Sequence, residues 1–127
     1  MADAEMLNFR KLDTWTVAME LTIVSYGLAA RLPRTERFEL GGQIRRAAVS
    51  IPANVAEGHA GGSAGRCIYH LRIALGSLGE LQTELEIARR LAFLSDADLR
   101  GAFELSARVG QLLHGLLRAK KAQRSRG

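Results

Sequence analysis

The chain has 127 residues, enough for one domain with its own core, and a formal net charge of +5. Hydrophobic residues make up 47% of it, yet no apolar run approaches the roughly 18 residues that cross a bilayer. A single cysteine, Cys67, excludes an intramolecular disulfide framework and fits a reducing interior.

The N-terminal stretch MADAEMLNFRKLD is acidic and then mixed in charge, without the basic-then-apolar order of a signal peptide, so the cytoplasm is the expected location. A first helix is predicted from about Thr14 to Leu32, with Asp13 as its N-cap and Pro33 as its stop. Its apolar residues fall on two sides: Trp15, Met19, Ile23 and Tyr26 on one, Val17, Leu21, Val24 and Leu28 on the other. A second helix is predicted from about Thr35 to Glu57, tolerating Gly41-Gly42 and kinked at Pro52. Proline inside a helix deletes one backbone N–H and crowds the carbonyl four residues back, here that of Ala48. Ser50 and Asn54 are placed to satisfy the freed groups, with Glu57 and Gly58 closing the helix.

The stretch GHAGGSAG from Gly58 to Gly65 reads as a loop, and Ser63 can cap the helix after it. This third helix, about Ala64 to Phe93, carries Ala74, Leu78, Leu81, Leu85, Ala88 and Ala92 at the 3-4 spacing of a bundle seam. Ser95 and Asp98 form a capping-box-like pair opening a fourth helix. Leu105, Val109, Leu112 and Leu116 form its stripe, widened by Leu113 and Leu117. Four helices joined by short connections predict an all-α, antiparallel up-down four-helix bundle. The expected organisation is one domain over residues 1–127, with a core at about 8–118 and a basic tail at 119–127. Apolar groups on the first and fourth helices cover more than the face a bundle buries, and Gly76, Ser77 and Gly79 permit close approach by a neighbour. Self-association is therefore expected.

The excess charge is concentrated. Arg118, Lys120, Lys121, Arg124 and Arg126 are unopposed by any acid in the last ten residues, and the other 117 hold 13 basic and 13 acidic side chains. Such an end suits phosphate backbones or an acidic partner, although cations also favour a helix C-terminus for its dipole alone.

The run from Gln43 to Gly58, QIRRAAVSIPANVAEG, resembles the hallmark of the bacterial four-helix-bundle proteins, also called the 23S rRNA intervening-sequence protein family. Ile73-Ala74, Gly76-Ser77 and Glu80-Leu81 are similar to its second motif. Phe9, Leu12, Trp15 and Ala18 match its opening, and Leu113 to Leu117 its close. The resemblance covers about residues 8–118 and implies a small antiparallel bundle that assembles into a homopentamer. It also implies, for some relatives, a gene inside an rRNA intervening sequence. For others it implies an accessory subunit of a diversity-generating retroelement that binds a reverse transcriptase and nucleic acid. The chain departs from the pattern in two places. His59, Ala60, Gly61 and Gly62 stand where relatives commonly carry basic residues, and Leu75 stands where a basic residue often precedes the Gly-Ser pair.

Candidate phosphate contacts are Arg45, Arg46, Arg72, Arg118, Lys120, Lys121 and Arg124. Arg45 and Arg46 point about 100° apart, so both cannot be buried, and one can instead pair with Glu57 or a glutamate of the third helix. Asn54 and Glu57 are expected to serve the backbone near Pro52 and not catalysis. Cys67, His70 and His59 offer too few ligands for structural zinc and read as a core thiol and ordinary histidines, as does His114. Glu80, Glu84 and Glu86 with Arg89 and Arg90 read as a mixed-charge face, solvated or used in intersubunit pairs. No phosphate loop, Ser–His–Asp arrangement or metal cluster appears, so neither cofactor nor enzymatic activity is expected. Two functions remain: an oligomeric adapter that binds RNA or DNA through phosphates, and a protein-interaction scaffold that docks a partner such as a polymerase. The body shows no exposed aromatic in a basic setting, so base stacking is not expected.

Overall fold

The computed structural model describes Phe9 and residues 12–126. Residues 1–8, 10, 11 and 127 lie outside it, and with them most of the N-terminal stretch read for a signal pattern. Four helices follow in order: α1 Asp13–Ala30, α2 Leu40–Ala60, α3 Ala64–Arg90 and α4 Asp96–Arg126, with a 3₁₀ turn Arg34–Glu36 between the first two. No strand occurs among the described residues. Each helix packs against the next in the chain and α1 packs against α4, so the four close around one core as a four-helix bundle. Ser50 of α2 meets Ser77 of α3, Asn54 meets His70, and Gly58 meets Cys67, so residue numbers rise along one helix as they fall along the other. Gln82 beside Ser106 and Leu78 beside Gly110 set the same order between α3 and α4.

The apolar spacing sorts inward as the periodicity requires. Val17, Leu21 and Leu28 of α1 are buried, as are Ala74, Leu78, Leu81, Leu85 and Ala88 of α3, and Val109, Leu113 and Leu117 of α4. Leu105, Leu112 and Leu116 are half-buried at the edge of the core. On the other side of α1, Trp15 and Met19 are half-buried, and Ile23 and Tyr26 stand 68% and 45% exposed. That ridge is more apolar surface than one bundle covers.

Several ends differ from the sequence reading. Leu12, not Asp13, occupies the N-cap of α1 and makes no side-chain cap, and Asp13 lies in the first turn, where a negative charge favours the helix dipole. The α-helical part of α2 starts at Leu40, not Thr35. The intervening turn folds back so tightly that a Cβ on Gly41 would lie 3.3 Å from the carbonyl oxygen of Glu36. Gly58 does not end α2, which continues to Ala60. It is instead where α2 and α3 touch, since a Cβ there would sit 2.9 Å from His70 Cβ and 3.3 Å from Cys67 Cα. The third helix ends at Arg90, short of Phe93, and is about 40 Å long. Ala92 is not part of the seam: it is exposed with φ 60, and the Phe93 N–H returns to the Ala88 carbonyl at 2.9 Å. That is the Schellman bond, made here with alanine in the left-handed position where glycine is usual.

The caps that rest on local sequence form as expected. Ser63 accepts from the Arg66 N–H at 3.1 Å at the start of α3. Ser95 and Asp98 exchange reciprocal bonds of 2.9 and 3.1 Å at the start of α4. Residues 119–126 of the basic tail continue α4, and 121–126 are exposed.

Pro52 lies inside α2. Its missing N–H leaves the Ala48 carbonyl, buried in the core, without its intrahelical donor. The partner is neither Ser50 nor Asn54. Thr22 Oγ1, buried on α1, lies 3.0 Å from the Ala48 carbonyl oxygen and 2.9 Å from that of Ala18 on its own helix. One hydroxyl hydrogen is thus shared between the two acceptors and ties α1 to α2 at the proline. Thr22→Val keeps the shape and removes the donor, so it should cost about 1–3 kcal/mol of stability. In a Pro52→Ala background residue 52 regains its N–H, and the same substitution should cost less than about 0.5 kcal/mol. Denaturant unfolding of the four chains of this cycle measures the difference, and equal costs in both backgrounds would remove the role given to Thr22.

Candidate nucleic-acid interface

The basic residues singled out in the sequence fall into two regions and do not converge on one site. Arg118, Lys121 and Arg124 are exposed and Lys120 is half-buried on the last turns of α4. The positive charge of Lys120 reaches the Cys67 thiol, which places this end of α4 beside the start of α3. Burial outweighs that charge and pushes the thiol's pKa up, so Cys67 is an un-ionised core residue. Arg118 also borders an open groove of about 740 Å³ between α3 and α4, lined by Leu75, Gly79, Gln82, Gly110 and His114 among others. Arg72, exposed, stands one turn before Leu75 on α3, outside the groove's lining. His114 is exposed in that groove.

Arg45 and Arg46 sit far from that end, in the second turn of α2. Arg45 Nη2 donates to the Arg37 carbonyl at 3.2 Å. Arg46 is exposed and its guanidinium lies back over Gly42, where an added Cβ would meet Nη1 at 3.1 Å. Neither pairs with Glu57. That carboxylate instead approaches Arg66 at 3.5 Å and His70 Nδ1 at 3.8 Å, across to α3. It thus spans the α2–α3 turn from one helix to the other.

Asn54 and Ser50 build a polar seam on the α2–α3 face. Asn54 Nδ2 donates to the Ser50 carbonyl at 2.9 Å and lies 3.1 Å from Ser50 Oγ. Its Oδ1 lies 2.9 Å from His70 Nδ1, and since an amide oxygen only accepts, the network assigns the hydrogen to Nδ1. Ser50 Oγ then has its own hydrogen for Ser77 Oγ, 2.7 Å away. His70, 8% exposed, and Ser77 are the members that the sequence does not announce. A histidine three residues after a buried cysteine, on the helix that faces Asn54, is the one hint it offers.

The acidic face of α3 is not uniform. Glu86 is clamped by Arg89 at 2.7 Å and Arg90 at 2.9 Å, and their hydrogen bonds hold its carboxyl down to about 2. Arg89 also reaches Asp96 at 3.6 Å, so both arginines are neutralised locally. Glu84 is not solvated. It is 8% exposed, its Oε1 has no hydrogen-bond partner, and burial, reinforced by the neighbouring Glu80 and partly offset by Arg46, pushes its carboxyl up to about 6. Among the described residues no cluster of three or more His, Cys, Asp or Glu side chains is placed to hold a metal ion. No helix among them is long and apolar enough to cross a membrane.

Two substitutions test the seam. Asn54→Ala strands His70 Nδ1 and should cost about 1–3 kcal/mol, read as a lower melting temperature. Glu84 binds its proton more tightly folded than unfolded, so the chain loses stability as pH rises from about 4.5 to about 6 and loses no more above it. Glu84→Gln cannot lose it. The variant should match the parent near pH 4 and exceed it by about 1–2 kcal/mol at pH 7.5, and a constant difference across that range would contradict the buried ionisation.

The sequence model of the 23S rRNA-intervening sequence proteins matches residues 10–115. Among solved structures the chain is similar to a protein of unknown function from the S23 ribosomal protein family of Bacteroides thetaiotaomicron. The two share 24% identity over 82% of this chain and 97% of that one, with a TM-score of 0.76, a likeness of fold. No curated protein matches the chain at a significant level.

Proposed function

The chain belongs to the 23S rRNA-intervening sequence protein family, and we propose that it is a non-enzymatic, self-associating cytoplasmic adapter that binds RNA or DNA through phosphate contacts. The observation that carries this reading is the last turns of α4: five cations and no acid on one helix end, attached to a body whose other charges cancel. Arg72 supports it, because it is exposed one turn before Leu75 of the α3–α4 groove that Arg118 also lines. Contacts of this kind release counterions and carry no base preference. Five of them give a salt slope of about −3.5 on a single strand. Self-association multiplies weak contacts by raising the effective concentration of each further site. The exposed ridge of Ile23 and Tyr26, with Trp15 and Met19 beside it, supports an assembly, in this reading a homopentamer.

That same ridge favours a second reading. Trp15, Met19, Ile23, Val24 and Leu105 line an almost wholly apolar groove between α1 and α4, suited to docking a protein such as a reverse transcriptase. Under this reading the protein is a scaffold and the basic end is incidental.

Salt separates the two. Labelled single- and double-stranded RNA and DNA should bind tightly at about 50 mM salt and lose most of their affinity by about 300 mM. Changing Arg118, Lys120, Lys121 and Arg124 together to Gln should flatten that slope without lowering the melting temperature. An assembly that binds no nucleic acid even at low salt would favour the scaffold.

A further inference from the structure

Phe38 is the most exposed large apolar side chain among the described residues, at 81%. It packs against neither the core nor either aromatic pair, Phe9–Trp15 and Tyr69–His70. The segment that carries it is held on both sides: Leu32 before it is 3% exposed and Leu40 after it 7% exposed. Arg45 clamps it from below, for the carbonyl that accepts from Arg45 Nη2 belongs to the peptide joining Arg37 to Phe38. A phenyl ring therefore stands in water on an anchored turn with a guanidinium at its base.

The surrounding charge is positive. Arg34 and Arg37 are exposed and lie near Phe38 in the chain, and with Arg45 they make three cations against Glu36 and Glu39, a net of one, while Arg46 turns toward Glu80 and Glu84. Arg31 is spent on Asp98 at 2.9 Å. That pair also fixes the location: Asp98 lies in the first turn of α4, so this patch sits at the opposite end of that helix from Lys120 and Arg124.

We infer that the α1–α2 turn is a second nucleic-acid contact, in which an unpaired base of a single strand stacks on Phe38 while Arg34, Arg37 and Arg45 meet the flanking phosphates. This rests on the phosphate-binding reading above and adds to it a preference for single strands. Stacking needs a free π-face, which a duplex does not offer, and aromatic rings with arginines between them are how single strands are bound without sequence preference. A bilayer surface or a second copy of the chain needs a contiguous apolar patch. Here the apolar residues that flank the ring in the chain, Leu32 and Leu40, are buried, and its immediate sequence neighbours are charged.

The test uses the full chain and three probes: a thymidine 15-mer, the same length of abasic strand, and a duplex. Phe38→Ala should weaken binding of the thymidine strand by roughly tenfold or more, at every salt concentration, and leave the abasic strand and the duplex unchanged. Phe38→Leu keeps apolar area without a π-face and should bind like the alanine variant. Phe38→Trp should restore affinity and show fluorescence quenching on binding. Arg34→Gln with Arg37→Gln should reduce the salt slope by about 1.4. Since the ring is exposed, none of these should shift the melting temperature. Parent-level binding by Phe38→Leu, or equal losses on thymidine and abasic strands, would overturn the stacking while leaving phosphate binding intact. Failure of the parent chain to bind even the abasic strand would defeat both.

Discussion

A proline inside a packed helix creates a carbonyl that must find its donor elsewhere, and in this bundle the choice of donor organises the rest. The Ala48 oxygen is buried, so no water reaches it, and Thr22 comes from α1 to meet it. That bond sets α1 against α2 at one height. On the opposite side α2 is fixed to α3 by Ser50, Asn54 and the close approach at Gly58. The helix with the weakest backbone is thus held by polar contacts from both neighbours, whereas α4 is held mainly by its leucine stripe. Directional bonds specify register more narrowly than apolar contact does, which suits a bundle whose leucines alone would tolerate sliding.

The charge distribution follows a different logic. The core and its seam use their polar groups internally, and the α3 arginines near its end are occupied by Glu86. Arg100 and Arg108 stand exposed along α4, while positive charge gathers at the two ends of the bundle: the last turns of α4 with Arg72, and the turn bearing Phe38. The apolar ridge of α1 lies along the flank between them. Such a body offers three separable surfaces among the described residues. That arrangement is the one the proposed adapter needs, since it would hold several things at once.

Features encoded within one turn of the chain are legible in its sequence. Four helices, the Ser63 cap, the Ser95–Asp98 box and the α3 seam depend on residues three or four apart. Features that depend on a partner across the bundle are not legible in this way. Thr22 by itself suggests only the common bond to its own Ala18 carbonyl, and nothing local says that Ala48 is also within reach. Asn54 stands out beside the proline, yet its partner His70 lies beyond the α2–α3 turn. Glu84 looks like part of a solvated face because Glu80 and Glu86 flank it. Its position beside Leu85 and three residues after Leu81 turns it inward. Ala92 fits the seam by residue type, and only glycine would signal the left-handed turn. Phe38 escapes notice for a related reason. Periodicity scores apolar residues as candidates for burial, so it gives no weight to an aromatic off the stripe among arginines, and stacking looks unsupported.

The central claim is that nucleic acid meets this protein at its basic ends and not along its flank. The most direct measurement is photo-crosslinking of the assembled full-length chain to a 4-thiouridine-bearing single strand, with the modified peptides mapped by mass spectrometry. The account predicts adducts within residues 118–126 and around residues 34–38, both suppressed by added salt. Adducts confined to the α1 ridge around Trp15 and Ile23, or none at all from an assembly that is otherwise intact, would contradict it.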